Sequence, residues 1–166
     1  MTTISLNGDP VTTSGDLPEV GSAAPDFVLT GGDLKYKSLE DFKGKKKLLS
    51  IVPSLDTAVC ARSTKRFNEL ADKVDDVMML IISADLPFAM SRFCKVEKTD
   101  NVTTLSMMRD RHFGKDYGVL MQDGPLMGIT ARAIVVIDAD DKVIYTELVP
   151  EITQEPDYDK ALAALA

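Results

Sequence analysis

The sequence predicts an α/β fold: a mixed central sheet flanked by helices, with an added β-hairpin at the N-terminus. Three observations predict it. The apolar run Leu48-Leu49-Ser50-Ile51-Val52 is followed by a helical pattern and then by the nearly unbroken apolar run Val77 to Ser83. That is a strand–helix–strand unit whose second strand is buried on both faces, as parallel strands are. Later, Ala133 to Ile137 and Lys142 to Leu148 are joined by Asp138-Ala139-Asp140-Asp141, a turn-forming stretch that reads as an antiparallel hairpin. Near the start, Asn7-Gly8 separates two short segments, as a tight hairpin turn requires.

In order, Thr3 to Leu6 alternates polar and apolar side chains and the chain returns over Pro10 to Thr13. Gly15 to Pro25 is punctuated by Gly and Pro and reads as loop. Phe27-Val28-Leu29 and Leu34-Lys35-Tyr36 read as short strands around Gly31-Gly32, and Ser38 to Phe42 as one capped helical turn ended by Gly44. After the strand through Val52 comes a helix to about Lys73. Ser63, Phe67, Leu70, Ala71 and Val74 share one of its faces, with Arg62, Lys65, Arg66 and Glu69 on the others.

Asp85 to Pro87 opens a second helix that contains Cys94, and Val102 to Leu105 forms a short strand. Arg109 to Tyr117 is expected as a helix ended by Gly118, and Gly124 to Gly128 as a loop. Pro156 opens the closing helix, Asp157 to Leu165, with Tyr158, Ala161, Leu162 and Leu165 on one face. Strand, helix, strand, helix, then an antiparallel hairpin and a closing helix is the order of a thioredoxin-like fold. No internal repeat or linker divides the chain, so residues 1–166 are expected to form one domain.

Composition narrows the function classes. With 45% hydrophobic and 27% charged residues the chain reads as an ordinary globular protein. A net charge of −7 argues against nucleic acid as partner. The one basic run, Lys43 to Lys47, is expected to be a solvated loop. The longest apolar stretch, Val77 to Ile82, is far short of a membrane span, and the N-terminus has neither a basic n-region nor an apolar h-region. A cytoplasmic protein without membrane contact is the expectation. Two cysteines and one histidine are too few for a structural zinc site, so no metal or cofactor is expected. In a reducing compartment such a pair points to redox chemistry or to two unrelated thiols.

The stretch that organises the chain is Pro53-Ser54-Leu55-Asp56-Thr57-Ala58-Val59-Cys60. Asp56 or Thr57 is a good N-cap, which places Cys60 in the first turn of the following helix. Unpaired backbone N–H groups and the positive end of the helix dipole converge there. Such a position favours the thiolate, the nucleophilic form that a free cysteine, with pKa ~8.5, scarcely populates at neutral pH. The bland alternative is an inert buried thiol. His112 raises a further alternative, a Cys–His hydrolase, although a lone histidine in Arg111-His112-Phe113-Gly114 reads better as a polar helix residue. The methionines Met78, Met79, Met90, Met107, Met108, Met121 and Met127 read as core or pocket wall.

The spacing Pro-x-x-x-Thr-x-x-Cys between strand and helix resembles the active-site motif of the peroxiredoxins. Ala84-Asp85-Leu86-Pro87-Phe88-Ala89-Met90-Ser91-Arg92-Phe93-Cys94 and Ile152-Thr153-Gln154-Glu155-Pro156-Asp157-Tyr158 extend the match over nearly the whole chain. They point to the bacterial thiol peroxidases, the atypical two-cysteine branch. The resemblance implies the thioredoxin-like fold and a peroxidase acting on hydrogen peroxide and alkyl hydroperoxides. It implies that Cys60 is the peroxidatic cysteine and Cys94 the resolving one, joined in a redox disulfide within one subunit. Arg132 would pair with the thiolate, Thr57 would hydrogen-bond sulfur and peroxide, and Pro53 would shield the pocket. Thioredoxin would be the reductant, and a homodimer the assembly. A redox-sensing binding protein switched by the same disulfide is the other reading.

Overall fold

A computed structural model describes residues 1–166. Strands β1 (Thr3–Leu6) and β2 (Asp9–Thr12) form the separate N-terminal hairpin, and its turn residues Asn7 and Gly8 both take positive φ, 53° and 89°. The main sheet has seven strands: β3 (Leu29–Gly31), β4 (Tyr36–Lys37), β5 (Lys46–Ile51), β6 (Val77–Ser83), β7 (Thr103–Ser106), β8 (Ala133–Ile137) and β9 (Val143–Leu148). Their order is β4-β3-β7-β6-β5-β8-β9. The centre, β7-β6-β5, is parallel, and every pairing outside it is antiparallel. This is the mixed sheet of the thioredoxin-like expectation.

Residue alternation along each strand sorts the core into two layers. Leu48, Met79, Ile134 and Val136 face α1 (Ala58–Ala71) and α4 (Tyr158–Leu165), meeting Phe67, Leu70, Ala161 and Leu165. Their neighbours Leu49, Leu80, Val135 and Ile137 face the other way, against Phe27, Phe113 and Tyr117. Helix α2 (Pro87–Glu97) packs Met90 on Ile81 beside α1. No helix is long and apolar enough to cross a membrane.

Some elements differ from expectation. The two short strands before the capped 3-10 turn Leu39–Phe42 lie slightly later, at β3 and β4. The helix expected over Arg109 to Tyr117 contracts to α3 (Phe113–Asp116). The reason is local: the Asp110 carboxylate accepts the N–H groups of His112 at 3.0 Å and of Val28 at 3.3 Å, which holds this stretch in a turn. Met127 is exposed rather than part of a core or pocket wall.

The largest correction concerns the basic run. Lys46 and Lys47 lie inside β5, and Lys47 is fully buried. Its ammonium donates to the carboxylate of Asp141 and the carbonyl of Asp138, both in the β8–β9 turn. A buried cation is tolerated because it is paired. Replacing Asp141 by Asn keeps a side chain suited to the positive φ of 60° there and removes the counter-charge. Asp141→Asn should lower stability by about 3 kcal/mol, read as a shift in the urea midpoint. Lys47→Met should cost clearly less, because the partly exposed Asp141 left behind hydrates itself. Equal losses would contradict this account of the pair.

Candidate active site

Cys60 reaches its position through β5. The chain leaves the carboxyl end of that parallel strand, where open α/β sheets place their sites, and turns through Val52 and the buried Pro53 into the loop Ser54–Asp56. Asp85, just beyond β6, holds this loop. Its carboxylate accepts the Ser54 hydroxyl at 2.7 Å, the Leu55 N–H at 2.8 Å and the Ser83 hydroxyl at 2.7 Å. Thr57 then caps α1 through its extended backbone, φ −99° and ψ 148°, but its side chain makes no cap bond. The Thr57 hydroxyl donates instead to the Ser54 carbonyl at 3.0 Å. No acidic residue occupies the first turn of α1, so its positive end is not compensated.

Cys60 sits in that turn with 0% exposure, packed among Val52, Leu55, Ile81 and Met90. Arg132, 2% exposed, approaches from the start of β8. Its Nη1 lies 3.2 Å from Cys60 Sγ, and its Nε donates to the Ile152 carbonyl at 3.0 Å. No carboxylate stands within ion-pair distance of this guanidinium. Arg132 is therefore not the surface charge that a strand-start arginine would ordinarily be.

Pro53, Thr57 and Arg132 line one cleft of ≈ 250 Å³ whose walls include Leu6, Leu126 and Ile152. Four of the five residues singled out in the sequence thus gather at one place: Pro53, Thr57, Cys60 and Arg132. The fifth, Cys94, does not line the cleft. It is a free, half-buried thiol near the end of α2, and Cys60 is free as well. Burial pushes the Cys94 thiol above its ordinary value, the Asp100 carboxylate adds to this and the Thr99 hydroxyl opposes it. His112 is exposed on a separate cleft of ≈ 380 Å³ with Arg111 and Lys115, so no thiol–imidazole pair exists. Asp85 and the Ile152 carbonyl escaped the sequence reading. A carboxylate directly after a buried parallel strand was the available signal for Asp85.

A buried thiol facing an unpaired arginine on a thioredoxin-like scaffold defines a thiol-based redox protein. The Redoxin family model matches residues 19–162. The chain is 56% identical over 165 residues to the thiol peroxidases of Mycobacterium tuberculosis and Mycobacterium bovis, with 99% of each chain covered. It superposes on a peroxiredoxin-like protein from Aquifex aeolicus with a TM-score of 0.93 at 44% identity, covering 99% of this chain and 96% of that one. A thiol peroxidase from Chromobacterium violaceum matches with a TM-score of 0.90 at 27% identity, covering 95% and 91%. The chain belongs to the Redoxin family and, with the thiol peroxidases, to its peroxiredoxin-type enzymes.

Asp85→Ala should release the loop that delivers Cys60. The Asp85 carboxylate is the acceptor for the Leu55 N–H, so exchange of that amide should speed up about ten-fold, the weight of one charged hydrogen bond. Unchanged exchange at Leu55 would show that Asp85 does not hold the loop.

Proposed function

We propose that this protein is a thioredoxin-dependent thiol peroxidase in which Cys60 reduces hydrogen peroxide and alkyl hydroperoxides. The observation that carries the reading is the 3.2 Å contact between Arg132 Nη1 and a fully buried Cys60 sulfur. A fixed cation beside a sulfur in a water-poor site favours the thiolate and balances the charge that moves onto oxygen in the transition state. Arginine suits this role because it keeps its proton there.

The Cys60 thiolate attacks the distal peroxide oxygen. An S–O bond forms, the O–O bond breaks, and the departing alkoxide or hydroxide takes a proton from solvent at the mouth of the cleft to leave as alcohol or water. Cys60 is left as the sulfenic acid. The Thr57 hydroxyl hydrogen is engaged by the Ser54 carbonyl, which leaves its oxygen lone pairs free to accept the peroxide O–H. Pro53, with Leu6, Leu126 and Ile152, makes an apolar wall suited to an alkyl chain.

Cys94 is the resolving thiol in this proposal. Its sulfur attacks the sulfenic sulfur, the Cys60–Cys94 bond forms within the subunit, and water departs. A disulfide requires Cα atoms about 4.4–6.8 Å apart, whereas the two cysteines sit on two intact helices, α1 and α2. The start of α1, the segment around Cys94, or both unwind locally in each cycle. Reduction by the thioredoxin dithiol restores both thiols. The homodimer, like the choice of thioredoxin, rests on the resemblance to the thiol peroxidases.

The test is NADPH consumption through thioredoxin reductase and thioredoxin, with hydrogen peroxide and a bulky organic hydroperoxide compared. Wild type should turn over with both. Cys94→Ser should reduce one equivalent of peroxide and then stop, passing to the sulfinic acid under excess peroxide. Arg132→Met and Thr57→Val should each slow sulfenate formation by on the order of 10²-fold, as loss of one preorganised charge or hydrogen-bonding group does. Sustained turnover of Cys94→Ser with thioredoxin alone would refute the resolving role.

A further inference from the structure

The N-terminal hairpin lies outside the sheet that delivers Cys60, yet it ends against the same cleft, with Leu6 in the wall. Its first strand docks on the segment after β9: the Ser5 N–H donates to the Pro150 carbonyl at 2.8 Å, and the Ile152 N–H to the Ser5 carbonyl at 2.9 Å. Glu151 closes this junction. Its carboxylate accepts five donors: the Ser5 hydroxyl at 2.7 Å, the N–H groups of Asn7 and Gly8 at 2.9 and 3.2 Å, and the Thr153 N–H and hydroxyl at 3.2 and 2.8 Å. The Ser5 hydroxyl above all, then the Asn7 N–H, hold the carboxyl well below its usual range, at about 2, so the clamp is anionic at any neutral pH.

Between the two ends of this clamp sits Ile152. Its carbonyl receives Arg132 Nε at 3.0 Å, and the other acceptor on that guanidinium is the Cys60 sulfur at 3.2 Å. A planar guanidinium held at Nε has little freedom to re-aim Nη1. The position of one carbonyl therefore sets the direction of the charge that faces the thiol.

We propose that Glu151 is a positioning residue for the Cys60 reaction. By tying the hairpin turn to Glu151–Thr153 it fixes the Ile152 carbonyl that aims Arg132 at the sulfur, and it seats Leu6 in the cleft wall. This rests on the peroxidase reading of Cys60 and Arg132. A clamp that only stapled the hairpin would support stability without touching the charge at the thiol, and that difference is measurable.

The experiment is a double-mutant cycle on the rate of Cys60 sulfenate formation by hydrogen peroxide, with sulfenate trapped by dimedone in a Cys94→Ser background. Glu151→Gln keeps the shape of the side chain but turns an NH2 toward donors that need an acceptor. It should slow the reaction about ten-fold through misplacement of Arg132. Combined with Arg132→Met it should be no slower than Arg132→Met alone, because residues acting through one contact are not additive. A wild-type rate in folded Glu151→Gln, or a double variant slowed by the product of the two single effects, would overturn the proposal. A wild-type rate in Arg132→Met would instead defeat the role given to Arg132, and the clamp with it. Ser5→Ala, which removes a single donor, carries the same cycle if Glu151→Gln does not fold. It should slow the reaction about two- to three-fold, and an unchanged rate would likewise overturn the proposal.

Discussion

The buried contact between Arg132 and Cys60 is the constraint on which the rest of the structure depends. A guanidinium at 2% exposure has lost most of its hydration, a loss that costs several kcal/mol unless an anion or oriented dipoles replace the water. Here the replacements are one carbonyl and one sulfur. The sheet sets this meeting by register. Ile51, the last residue of β5, pairs with Ala133, the first of β8. Arg132 therefore stands one residue beyond the ladder, beside the loop that leads from β5 to Cys60. Antiparallel pairing of β8 with β5 is what brings the start of one strand to the end of the other.

The two cysteines are held by different contacts. The approach to α1 is tied by two bonds, from Ser54 and Leu55, to the Asp85 carboxylate, which also accepts the Ser83 hydroxyl at the end of β6. The carboxyl end of α2 and the turn after it are fastened to α1 and its C-cap by one ion pair and three bonds from Asn101. Glu97 pairs with Lys65 of α1 at 2.7 Å, and the Asn101 N–H reaches the Asn68 side chain at 2.7 Å. A partly exposed pair like the first contributes at most about 1 kcal/mol. Helix α2 also ends on Lys98 in the left-handed conformation, φ 55°, which suits glycine better than lysine. This backbone strain lies four residues beyond Cys94.

Much of this was legible in the chain because it is local. Pro53, Thr57 and Cys60 lie within one strand–loop–helix passage, and period-2 and period-3.6 patterns locate β5, β6 and α1 to within a few residues. Arg132 was reached only through resemblance, since nothing in its own neighbourhood reveals that β8 starts where β5 ends. Asp85 and Glu151 were missed for the same reason: a carboxylate in a loop looks solvated until its partners, distant in the chain, are known. Lys47 was misread by the converse error. A run of lysines looks like surface, and only the β8–β9 turn, which carries Asp141, makes one of them interior. The N-terminal hairpin was visible as an element, but its part in the cleft depends on where Leu6 and Ser5 dock.

The measurement that bears most directly on the central claim is the ultraviolet thiolate absorbance of the Cys94→Ser protein at neutral pH, before and after Arg132→Met. If the buried guanidinium holds Cys60 in its reactive form, the Cys94→Ser protein should show thiolate absorbance. That absorbance should disappear when Cys60 is also replaced by Ser and fall sharply when Arg132 becomes Met. A protein without thiolate absorbance at neutral pH, or one whose absorbance is indifferent to the loss of Arg132, would contradict the account.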